Sequence, residues 1–97
     1  MPRKLPSGAV TLLFTDVEGS TQLLHELGAE AYADALAQHR RCIRDAVAAH
    51  GGVEVDTQGD AFFVAFASAA AAVTAARVAQ EALAPDRIRV RMGLHTG

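Results

Sequence analysis

The stretch 53-VEVDTQGDAFFVAF-66 constrains this chain more than any other. Val53, Val55 and Thr57 alternate with Glu54, Asp56 and Gln58, the period-two pattern of a half-exposed strand. Ala61 to Ala67 contains Phe62, Phe63, Val64 and Phe66, an apolar run of strand length expected to be buried on both faces. Gly59-Asp60 between them is tight-turn chemistry, so the two runs are predicted to pair antiparallel as a hairpin.

The other elements follow from the same periodicities. Val10 to Thr15 is apolar and β-branched on both faces, which predicts a first strand, central and buried on two sides. The loop Asp16 to Gly19 then leads to Ser20 and Thr21, either of which can cap a short helix over Gln22 to Leu27 that Gly28 closes. From Ala29 to His50, Tyr32, Leu36, Ile43 and Val47 recur three to four apart, with His39 or Ala35 filling the remaining position. Asp34, Arg40, Arg41, Arg44 and Asp45 take the other faces, which makes this the strongest helix, and Gly51-Gly52 ends it. Ser68 caps an alanine-rich helix reaching Leu83, with Val73, Val78 and Leu83 as its larger apolar groups, and Pro85-Asp86 breaks it. Arg87 to Thr96 alternates Ile88, Val90, Met92 and Leu94 with Arg87, Arg89, Arg91 and Gly93, a fourth strand with one apolar and one cationic face.

The order β-α-α-β-β-α-β defines an α+β fold of ferredoxin-like split βαβ type. Its four-stranded antiparallel sheet carries the helices on one face. Ninety-seven residues, 51% of them hydrophobic, suit one domain. Residues 1–8 are expected to be a disordered or extended N-terminal segment and 9–97 the folded core. A net charge of −2 disfavours nucleic-acid binding, because no basic field gathers phosphates. Cys42 is the only cysteine, so neither an internal disulfide nor a thiolate zinc site can form. No apolar stretch fits a secretory signal or a membrane span, and the expected location is the cytoplasm.

In this topology the first and third strands are central neighbours, which brings Asp16 and Asp60 together at one end of the sheet. Two adjacent carboxylates repel unless a cation separates them, and a hard divalent ion with oxygen ligands suits the pair. Mg²⁺ commonly combines one or two carboxylates with substrate phosphates, so a sparse aspartate pair points to a phosphate substrate. The Glu18-Gly19-Ser20-Thr21 turn enters a helix N-terminus that favours anions, and Gly19 permits close backbone approach. In the competing reading both aspartates are ordinary turn residues. No Gly-x-x-x-x-Gly-Lys loop and no EF-hand spacing is present.

Three segments in order, LFTDVEGST (Leu13 to Thr21), TQGDAFFVAF (Thr57 to Phe66) and RMGLHTG (Arg91 to Gly97), resemble motifs of the class III adenylate and guanylate cyclase catalytic domain. The resemblance runs from Val10 to Gly97. It implies metal-dependent conversion of a nucleoside triphosphate, ATP or GTP, to a 3′,5′-cyclic nucleotide and pyrophosphate, in cyclic-nucleotide signalling. It implies two divalent cations, Mg²⁺ or Mn²⁺, on Asp16 and Asp60, with the Val17 carbonyl as a further ligand. Glu18, Gly19, Ser20 and Thr21 are the implied phosphate cradle. A homodimer, or pairing with another cyclase domain, is the implied assembly.

Two departures accompany the resemblance. The base-reading position, a lysine in adenine-specifying members, is Asp56 here, an acceptor-only side chain, which leaves base choice open. The family's second base-reading residue, its transition-state asparagine and arginine, and a triphosphate-binding lysine have no counterpart in residues 1–97, so a further segment or a partner must supply them. The alternative is a non-catalytic truncated homologue serving as a dimerisation or nucleotide-binding module. The arginines of the long helix and last strand read as solvated surface, His95 as structural, and His25, His39 and His50 as surface or boundary positions. Cys42 reads as packed.

Overall fold

A computed structural model describes residues 9–85 and 88–97. The expected N-terminal segment 1–8, Asp86 of the Pro85-Asp86 break and Arg87 of the last strand lie outside the described residues. The elements are β1 (Thr11–Glu18), α1 (Ser20–Leu27), α2 (Ala29–Ala49), β2 (Val53–Gln58), β3 (Ala61–Phe66), α3 (Ala69–Leu83) and β4 (Arg89–Thr96). The strands form one sheet in the order β2-β3-β1-β4, and all neighbours are antiparallel. The split βαβ topology is therefore borne out, with β1 and β3 in the centre.

The core lies between the sheet and the helices. Leu13, Phe62, Val64 and Phe66 from the central strands meet Ile43 and Val47 of α2 and Ala72, Ala75 and Leu83 of α3. Phe62 and Phe66 are 0% and 1% exposed, and burying each contributes about 2–3 kcal/mol. α3 turns Ala72, Ala75 and Ala79 inward while Val73 and Val78 stay exposed. Small side chains thus set its close approach, and the two valines add little to the core. The Ser68 hydroxyl accepts the Ala71 N–H at 3.2 Å, as expected of its cap.

Burial of the central strands differs from expectation. β1 alternates strictly, and Leu12 and Phe14 are 44% and 47% exposed; Phe63 of β3 is 40% exposed. Cross-strand partners share a face, so Leu12, Phe14 and Phe63 all lie on the side away from the helices. Helices cover only one face, so a strand central in the hydrogen-bonding direction still presents its alternate residues to solvent. At the sheet edge the Val-Glu-Val-Asp alternation of β2 is broken by a bulge between Glu54 and Asp56. Val53 therefore pairs with Ala65 on the open face, while Thr57 pairs with Phe62 on the helix face.

β1 also runs further than its apolar residues suggest. Asp16, Val17 and Glu18 continue the ladder opposite Arg91, Val90 and Arg89, so the expected loop over Asp16 to Gly19 shrinks to Gly19 alone. Cross-strand pairing of acids with arginines keeps this polar end extended. Gly19, at φ 60°, is the N-cap residue of α1, and no side chain caps that helix, so neither Ser20 nor Thr21 has the expected capping role. A left-handed turn in a single residue needs glycine, and the capping contact gives way to that geometry. A second small cluster, Val17, Leu23 and Ile88 with Leu27, Tyr32 and Leu36 against it, pins this end of the sheet to α1 and α2. His39, expected at the surface or a boundary, is 1% exposed because it lies on the inward stripe of α2.

Candidate active site

Asp16 and Asp60 come together as the topology requires. Thr15 pairs with Phe62 across the central strands, so Asp16 and the turn before β3 occupy the same end. Gln58 pairs with Ala61, leaving Gly59-Asp60 as a two-residue turn. Within this turn Gly59 takes a positive φ, 59°, and Asp60 does not, the requirement of a turn with glycine first. Each carboxyl acts on the other's ionisation.

Their environments push them apart. Arg91 Nη2 donates to Asp16 Oδ2 at 2.7 Å and, with the Val17 N–H and Asp60, holds the Asp16 carboxyl below its ordinary range despite partial desolvation. Asp60 is displaced upward, first by burial and then by the neighbouring Asp16 charge. One acid is thus held ionised and the other resists ionisation, the signature of like charges sharing a site.

α2 braces the arrangement. Arg40 Nη2 donates to the Gly59 carbonyl, fastening the turn that presents Asp60, while its Nε is buried with no partner among the described residues. The Arg40 charge also acts on Asp60 and Tyr32. Burial, followed by the Asp60 charge, raises the Tyr32 phenol pKa against the opposing influence of Arg40 and Ser20. Reading the helix arginines as solvated surface missed these contacts. Arg44 bonds Glu54 at 3.0 Å and lies over the Phe62 ring at 5.2 Å. The signal available in the sequence was the spacing of Tyr32, Leu36 and Arg40, which places them on one helix stripe.

Of the other expected site residues, Val17 has its side chain in the core and its N–H toward Asp16. Glu18 is an exposed strand residue opposite Arg89, separated from α1 by Gly19. Ser20 and Thr21 open α1; Leu23 N–H already donates to Gly19 O at 3.0 Å, so the amides of Ser20, Thr21 and Gln22 lie outside the helix's own ladder. Asp56 pairs with Phe63 on the open face, accepting from Thr57 N–H and Gln58 Nε2, each at 2.9 Å.

Among the described residues no three His, Cys, Asp or Glu side chains converge, so the charged donor set is the carboxylate pair. Two hard oxygen donors forced together fit Mg²⁺ or Mn²⁺ completed by carbonyl, water or phosphate oxygens, and do not fit a closed zinc cage.

Residues 3–97 match the adenylate and guanylate cyclase catalytic domain family. The chain belongs to this class III cyclase family. An uncharacterized protein of Mycobacterium tuberculosis is 43% identical over 95 residues, 95% of this cyclase-family chain and 32% of that relative. A receptor-type adenylate cyclase of Trypanosoma congolense is 50% identical over 68 residues, 70% of this chain and 9% of that protein. The solved structure of a Trypanosoma brucei adenylate cyclase in its monomeric state superposes with a TM-score of 0.85 at 31% identity, covering 98% of this chain and 59% of that one. The cyclase-family chain thus spans about a third of the mycobacterial relative and under a tenth of the trypanosomal one. Among its described residues no helix is long and apolar enough to cross a membrane.

Proposed function

We propose that this chain forms the metal- and triphosphate-holding part of a nucleotide cyclase site, converting a nucleoside triphosphate to a 3′,5′-cyclic nucleotide and pyrophosphate in cyclic-nucleotide signalling. The observation that carries the reading is the opposed Asp16 and Asp60 carboxyls at the end of the central strands, in a chain of this family. Asp16 and Asp60 would hold two divalent cations, with the Val17 carbonyl as a third donor. Cations bound there would neutralise the triphosphate and ease ionisation of the ribose 3′-hydroxyl.

The chain's own residues do the rest of the positioning. The amides of Ser20, Thr21 and Gln22, at the positive end of α1, face an anion without a side chain in the way, because Gly19 has none. Arg40 fixes the turn that presents Asp60. Asp56 contributes base selection from the same open face. An acceptor-only carboxylate can take a donor from either purine, so ATP and GTP both remain candidate substrates. Charge developing at phosphorus needs a fixed donor or cation, supplied by a paired cyclase domain or by a further segment.

The test is to titrate Mn²⁺ with and without ATP or GTP, on the wild type and on Asp60→Ala. Nucleotide binding that needs the metal and vanishes in Asp60→Ala is expected, and its absence in the wild type refutes the site. Cyclic product formed only when the chain is mixed with a complete cyclase domain supports pairing in trans. Metal-dependent binding with no product in any mixture identifies the non-catalytic module instead.

A further inference from the structure

We propose that Arg91 is a built-in counter-ion for Asp16, which a divalent cation must displace in order to bind the Asp16–Asp60 pair. The proposal rests on the reading that this pair is a metal site. Arg91 stands directly opposite Asp16 in the β1–β4 ladder, so both side chains leave the sheet on its open face. Its Nη2 bonds Asp16 Oδ2 at 2.7 Å, and the two side chains are 61% and 41% exposed. The bond therefore lies where a hydrated ion can reach it and where the arginine has room to leave.

A guanidinium and a hard cation compete for the same carboxylate lone pairs and repel each other, so they exclude one another from Asp16. The 2.7 Å Arg91–Asp16 pair occupies one carboxylate oxygen that a cation would otherwise take. This arrangement has a definite sign. Removing a residue that merely positions Asp16 would weaken metal binding, whereas removing a competing counter-ion strengthens it.

Mn²⁺ affinity of the full chain, read by electron paramagnetic resonance of the free ion, separates these roles. Arg91→Gln is expected to bind Mn²⁺ about three- to fivefold more tightly, the worth of an exposed, well-formed ion pair. Arg89→Gln removes the same charge two residues away, opposite Glu18, and is expected to change the affinity less than about 1.5-fold, since a water-screened charge acts weakly at that separation. In the wild type, the Arg91 Nε–H resonance should move in step with Mg²⁺ saturation, a readout that needs no variant to fold. Equal or weaker binding by Arg91→Gln, equal tightening by Arg89→Gln, or an unmoved Arg91 resonance at saturation overturns the proposal and leaves the metal site standing. No Mn²⁺ binding by the wild type overturns both.

Discussion

Asp16 and Asp60 face each other at the end of the central strand pair, and the Asp60 carboxyl is held above its ordinary range first by burial and then by the charge that Arg91 secures on Asp16. Each acid therefore responds to pH in its own direction. Asp60 keeps its proton above the ordinary 3.8, so in that window the folded chain binds more protons than the unfolded one and stability falls as pH rises. Asp16 titrates below 3.8, and its contribution is fully present above that value and lost as pH falls through its folded pKa. Carboxyl carbon-13 titrations should show the two midpoints on opposite sides of 3.8, and Asp16→Asn should draw that of Asp60 downward. Asp60→Asn, which removes the repulsion, should stabilise the metal-free chain at neutral pH by about 0.5 kcal/mol, read from thermal unfolding.

Arg40 reaches from α2 to the carbonyl of Gly59. Arg40→Ala should cost about 1 kcal/mol, the net worth of one such hydrogen bond. It should also speed amide hydrogen exchange around Gly59 and Asp60 and weaken Mn²⁺ binding, since the turn then samples other positions. Arg40→Lys, which keeps the charge but not the planar donor fork, should recover only part of the protection.

Two glycines invite unequal outcomes from the same substitution. A Cβ on Gly52 would meet Phe66 at 2.7 Å and Val64 at 2.8 Å, both buried in the core. Gly52→Ala should destabilise by about 1–3 kcal/mol, because neither side chain has room to move. A Cβ on Gly93 would meet the ring edge of Phe14, which is half-exposed on the open face and free to swing away. Gly93→Ala should cost less than about 1 kcal/mol, and denaturant midpoints of the two variants give the comparison.

Ser68 is the one residue that caps a helix here with its side chain, among the described residues. Ser68→Ala should lower stability by about 1 kcal/mol, and Ser68→Asp should preserve it, measured by thermal unfolding. α3 buries mostly alanine, so it has little packing energy with which to absorb the loss.

The element order was legible because each segment carries its period over enough residues: two in β4, three to four in α2, and a glycine-first turn between β2 and β3. The pairing of Asp16 with Asp60 was legible too, since the topology alone places a strand end beside that turn. Burial was less legible. Leu12, Phe14 and Phe63 look like core residues, and only the absence of a layer over that face of the described sheet makes them surface. The arginines were opaque for a related reason: Arg40 and Arg91 have the spacing of solvent-facing residues, and their bonds to Gly59 and Asp16 join positions far apart in the chain.

By itself, then, the sequence determined the split βαβ order, the central place of β1 and β3 and the meeting of two aspartates, because periodicity, turn chemistry and chain topology are local or combinatorial facts. The tertiary structure alone decided which face of the sheet is covered, that Asp16 lies within a strand opposite Arg91, and that Arg40 fastens the turn of Asp60. Those outcomes depend on which side chains several elements bring within a few ångströms of one another, and no single stretch of chain encodes that.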